Sequence, residues 1–152
     1  MAWFEFFVLL TACFAAGSTG MLFPTGAWYD ALSKPSWTPP NWLFPVAWSI
    51  LYFMIAAGGA QAVGHPNGHT ALAFWALQMV FNTLWTPVFF GLKRMRAGMV
   101  VMVGLWVSVL CTCIALFDVS VTAGLLFVPY LIWVSYAAAL NWALLQRNSQ
   151  PI

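Results

Sequence analysis

The sequence predicts an all-α integral membrane protein, a bundle of five transmembrane helices with a long aromatic loop between the first two. Three observations carry this expectation. Of 152 residues, 63% are hydrophobic and 5% are charged, whereas roughly 25% are charged in an average soluble domain. The mean hydropathy is +0.88. Apolar windows of the ~20 residues that cross a hydrocarbon core recur five times, without the ~10-residue polar–apolar alternation of a transmembrane barrel.

The first window, 3–22, opens on an apolar run with no basic stretch before it, and Glu5 stands where a leader would be basic. It reads as a membrane helix that stays. A connector, 24–41, follows and is built from tryptophan, tyrosine and proline. Thr38 and Pro39 suit the cap and first position of the second helix, 42–63. A turn cluster, Gly64-His-Pro-Asn-Gly68, precedes the third helix, 71–90. The basic turn Gly91-Leu-Lys-Arg-Met-Arg96 leads to the fourth, 97–117. Asp118 interrupts the apolar run before the fifth, 123–145. Nothing remains for a soluble domain, so residues 1–152 form one unit. Pro87 and Pro129 each remove a ladder bond and crowd the carbonyls of Thr83 and Leu125, so kinks are expected there.

An odd number of spans puts the two ends of the chain on opposite sides. Lys34, Lys93, Arg94, Arg96 and Arg147 then all fall on one side. The positive-inside rule makes that side, with the connector and the tail, cytoplasmic and the N-terminus external. The sequence does not name the membrane.

Polar residues inside a membrane need partners and therefore mark inward faces. Gln78, Asn82 and Trp85 share a face of the third helix. Trp48 and Tyr52 do so on the second, and Trp133, Ala137 and Asn141 on the fifth. Counted at 1.5 Å per residue, Trp48, Asn82, Trp85 and Asn141 lie ~8–14 Å below the basic end. The positions converge beneath the connector. A cavity lined by Trp48, Tyr52, Asn82, Trp85, Trp133 and Ala137 is flat-walled, aromatic and sparsely polar, which suits a planar hydrophobic ligand. The connector, stiffened by Pro35, Pro39 and Pro40, is placed to act as its lid, with Asp30 and Lys34 paired at i, i+4. Trp3, Trp42 and Trp142 sit at span ends, as belt residues do.

Conventional chemistry finds little here. Glu5, Asp30 and Asp118 are the three acids, and they are far apart. His65 and His69 lie opposite the cavity. Cys13, Cys111 and Cys113 sit in apolar windows as small core residues, with no disulfide framework. No metal site, required cofactor or nucleic-acid partner is expected; the bilayer is the surrounding partner. Ala16-x-x-x-Gly20 allows close helix packing, internal or between copies.

Three blocks, WYDALSKPSWTPPNW with FPVAWSILY, FNTLWTPVFFGLKR, and FVPYLIWVSYAAALNW, resemble the tryptophan-rich sensory protein family (TspO/MBR), which includes the translocator proteins or peripheral benzodiazepine receptors. The resemblance implies a five-helix membrane fold, a homodimer, and binding of porphyrins such as protoporphyrin IX and haem, of synthetic benzodiazepine-site ligands and, in some members, of cholesterol. It implies contacts from Tyr29, Pro39, Trp42, Phe44, Trp48, Tyr52, Asn82, Trp85, Trp133, Ala137 and Leu140. Trp48 and Trp133 match the tryptophans to which light-dependent porphyrin degradation has been ascribed in bacterial relatives, so an enzyme of that kind is the alternative to a receptor or transport-type protein. The family's proposed sterol motif is incomplete: Trp142 stands where it needs a tyrosine, which makes sterol binding doubtful.

Overall fold

The computed structural model describes residues 3–149. The first span is α1 (Trp3–Gly17) followed by α2 (Thr19–Leu22), interrupted at Ser18 alone. Ser18 and Thr19 turn their hydroxyls back onto the carbonyls of Ala15 and Ala16, competing with the helical ladder at the break. The connector contains one short helix, α3 (Gly26–Asp30). The remaining spans are α4 (Leu43–Ala62), α5 (Gly68–Thr86) with a π-helical turn at Pro87–Gly91, α6 (Met95–Phe117) and α7 (Val121–Asn148). Five helical runs are therefore long and apolar enough to cross a membrane, and the fold is the expected five-helix bundle.

Neighbouring helices form a closed circuit. α1 packs on α4, α4 on α7, α7 on α6, α6 on α5, and α5 returns to α1. Lipid is as apolar as the helix faces, so close approach and interhelical hydrogen bonds hold such a bundle. Ile55, Ala56, Val109, Leu116, Phe127 and Val134 fill its fully buried centre. Trp106 of α6 donates to Ser135 Oγ of α7 at 2.8 Å. Ala16 packs inside this core, while Gly20 has open space beside it.

The turns explain several boundaries. α5 begins at Gly68 because the Ala62 carbonyl oxygen lies 1.8 Å from where a Cβ would stand; no other residue type fits. His65 Nδ1 accepts from the Asn67 N–H, and Asn67 reaches the Asp118 carbonyl, so this loop is tied to the turn before α7. Ser120 caps α7 by accepting from the Ala123 N–H at 3.0 Å, and its hydroxyl donates to Gln61.

Two expectations are corrected. Thr38 does not cap α4: its hydroxyl and its N–H both bond the Pro35 carbonyl. Pro40 forces Pro39 out of the helical region, so the helix starts only at Leu43, with Trp42 at the cap. Lys34 does not pair with the Asp30 carboxylate. Its ammonium donates to the Asp30 and Leu32 carbonyls and sits 4.7 Å from the centre of the Tyr29 ring, closing the C-terminal end of α3. Pro87 ends the α-helical ladder of α5. The break is absorbed by the π turn, in which the Leu92 N–H reaches the Pro87 carbonyl at 2.8 Å. Pro129, by contrast, lies within an unbroken α7.

Candidate functional site

The marked side chains form two aromatic clusters that meet at Trp85. In the first, Trp48 of α4 is at the centre. Its ring lies 5.5 Å from Tyr52, 5.9 Å from Tyr130 and 6.5 Å from Trp133, the last edge-to-face at 87°. Trp133 also meets Phe44 at 6.1 Å and Tyr136 at 6.0 Å. Ala137 packs on the same core one turn further along α7. Tyr52 is held in place by Gly17, where an added Cβ would stand 2.7 Å from its ring.

A chain of buried hydrogen bonds runs beneath these rings. Tyr52 donates to Asn82 Oδ1 at 3.4 Å, Asn82 Nδ2 to the Tyr130 hydroxyl at 2.8 Å, and Tyr130 to Gln78 Oε1 at 2.8 Å. It joins α4, α5 and α7 in one polarised sequence of donors, which low dielectric strengthens. Trp85 donates separately to Asn141 Oδ1 at 3.1 Å. Two buried donors have no partner, Trp133 Nε1 and Gln78 Nε2.

The second cluster is the seat of the connector. Tyr29, Phe89, Leu140 and Leu144 are its buried residues. The π turn at Pro87 presents the consecutive Phe89 and Phe90 to the connector together. Phe89 meets Trp28 at 5.7 Å, and Phe90 meets Tyr29 at 5.4 Å. Trp85 stacks on Phe89 at 5.1 Å and 18°, and so links both clusters. Burial pushes the Tyr29 phenol above its ordinary value, with Asp30 and Tyr136 adding to the shift, so it stays neutral at physiological pH.

Polar bonds then fasten the connector. The Ser33 N–H donates to Asn148 Oδ1 at 2.9 Å, and Asn148 Nδ2 returns a bond to the Ser33 carbonyl at 3.0 Å. The side-chain amide thus pairs with a backbone amide as a neighbouring strand would. The Tyr136 hydroxyl donates to the Trp37 carbonyl, and the two rings meet at 5.6 Å.

The structure therefore brings Trp48, Tyr52, Asn82, Trp85, Trp133 and Ala137 together at one level, with Tyr29, Phe44 and Leu140 on the connector side. It does not bring Trp42 in: that side chain is 65% exposed. Pro39 is half-buried and belongs to neither cluster. The rings pack against one another, because aromatic edges and faces satisfy each other when brought together. Sequence reasoning missed Tyr130, whose position three residues before Trp133 places it on the same helix face, and Phe89 and Phe90, which depend on the π turn. Asn148 gives no sequence signal beyond its place near the end of the last helix. His65 lies in the far turn and His69 in the first turn of α5, and no group of metal-holding side chains exists among the described residues.

Residues 7–147 match the model of the TspO/MBR family. The chain is 52% identical to "Protein CrtK" of Rhodobacter capsulatus, over 94% of this chain and 92% of the relative. It is 45% identical to "Tryptophan-rich sensory protein" of Cereibacter sphaeroides, over 97% and 94%. Similarity extends to the human "Translocator protein", at 31% identity over 80% and 75%. With five membrane helices, an aromatic connector and a match over nearly its whole length, the chain belongs to the TspO/MBR family.

Proposed function

We propose that the paired aromatic clusters are a binding site for porphyrin-type planar ligands, protoporphyrin IX and haem, covered by the 28–42 connector. Family membership makes the chain an integral membrane protein of sensory or transport type; the ligand is the finer reading. One observation carries it. Trp133 Nε1 is a buried donor without a partner among the rings of Phe44, Trp48 and Tyr136. Buried donors are nearly always satisfied. A flat ligand stacked on the Trp48 ring can offer a carboxylate or ring acceptor to that N–H. No side chain of fixed charge belongs to the Trp48–Trp133 cluster, so affinity there comes from area and shape, with the indole N–H setting orientation.

Positive-inside placement puts the connector and its ligand entrance on the cytoplasmic side. Tryptophan fluorescence tests the binding directly. Protoporphyrin IX should quench it saturably, at one ligand per chain. Trp133→Phe, which keeps an aromatic ring but removes the N–H, should weaken binding about fivefold, the effect of one hydrogen bond of ordinary strength. Linear, non-saturating quenching would overturn the proposal.

A further inference from the structure

Two concavities share Arg96 and Leu145 and form one groove along the outside of α6 and α7. Its outer part, about 430 Å³, has Arg94, Arg96 and Ser149 at its rim and Met95, Ala97 and Leu145 within. Its inner part, about 270 Å³, runs down over Met99, Val100 and Val103. Val103 stands nine residues, or ~13 Å, below Arg94. Polar lining thus gives way to apolar lining along the helix axis, from the bundle end into the membrane.

We infer that this groove holds an anionic phospholipid, with its phosphate at Arg94 and Arg96 and one acyl chain along Met99, Val100 and Val103. Charge complementarity carries the choice of occupant. Lys34, Lys93, Arg94, Arg96 and Arg147 share this end of the bundle with Asp30 alone, while Glu5 and Asp118 are at the other. No carboxylate lines the groove. No side chain caps the first turn of α6, so the local dipole also favours an anion. Basic pockets between membrane helices recognise anionic headgroups in the same way. A free phosphate leaves the inner part unused. A second copy seated on this groove about a two-fold axis would face Arg94 and Arg96 with the same arginines, and no carboxylate in the groove offsets them. Val100 and Val103, 73% and 50% exposed, face outward to the lipid.

Native mass spectrometry of the detergent-purified chain tests this, using dioleoyl-phosphatidylglycerol and dioleoyl-phosphatidylcholine as probes. One phosphatidylglycerol should be retained in clear preference to phosphatidylcholine. Arg94→Gln with Arg96→Gln should cost roughly 30-fold in that affinity, about fivefold for each arginine. Lys93→Gln with Arg147→Gln removes equal charge outside the groove and should cost no more than about twofold, since exposed charges are screened with distance. Val103→Trp keeps all charge, narrows the acyl path and should also weaken retention. Should the arginine pair fail to fold by circular dichroism, Val103→Trp decides alone. Equal retention of the two lipids, or equal losses in both charge pairs, overturns the inference. Full displacement of the lipid by millimolar inorganic phosphate makes it a free-anion site, and a change in the monomer–dimer distribution without a change in lipid occupancy makes it a subunit interface; either result also overturns it.

Discussion

Ala137 shows how much a single small side chain controls. It sits one turn beyond Trp133, half-buried against the core, where a larger side chain must intrude on the rings. Ala137→Thr adds bulk and a hydroxyl that needs a partner. It should weaken protoporphyrin IX binding about tenfold in a quenching titration, as crowding of 1–3 kcal/mol implies, and leave the far-UV spectrum unchanged. Tyr130 acts in the opposite sense, on stability. Its hydroxyl both accepts from Asn82 and donates to Gln78, so Tyr130→Phe strands two buried polar groups. Interhelical hydrogen bonds in membranes average about 0.6 kcal/mol, and stranded groups cost about 1–3 kcal/mol. A loss of about 1 kcal/mol, read as a lower thermal midpoint, is the expected result. At this scale the sequence was legible wherever helical spacing paired an aromatic ring with an amide: Gln78, Asn82, Trp85 and Asn141 are all inside. Trp42 was read two ways, as a belt residue at a span end and, through the resemblance, as a pocket contact, and its exposure agrees with the belt.

Helices and turns divide along the same physical line. Apolar windows are set by membrane thickness, so all five spans could be read from hydropathy, with boundaries a few residues off where turn chemistry intervened. The π turn could not. Proline in a membrane helix announces a disturbance but not its form; Pro87 yields a π turn, whereas Pro129 stays within a continuous α7. The outcome at Pro87 matters because the wider turn sets Phe89 and Phe90 side by side under Trp28 and Tyr29. Pro87→Ala restores the missing donor and favours a regular helix, rotating one phenylalanine away. Hydrogen exchange across 26–34 should then rise severalfold while α4 and α7 stay protected. Asn148→Ala should do the same more locally by opening the paired amide bonds to Ser33. Unchanged exchange in both variants would mean the connector is held by something other than these contacts.

For the molecule as a whole, charge and aromatic content are segregated along one axis. The basic end carries five of the five basic side chains and the docked connector, and the clusters lie just beneath it. The bundle is closed in the state described: rings touch rings, and the connector is bonded at both Ser33 and Trp37. If the proposed site takes a porphyrin, its release rate should report connector docking. Hydropathy and charge order revealed the axis, while closure was hidden because it depends on ring-to-ring packing and on the register between α7 and the connector. Stopped-flow release of protoporphyrin IX from the wild type and from a Trp28→Ala/Tyr29→Ala variant tests the covered-site reading most directly. Release should be at least about fivefold faster in the variant, the loss of two aromatic contacts of about 0.5–1.5 kcal/mol each, with helix content and thermal midpoint nearly unchanged. Equal release rates from the two proteins would contradict it.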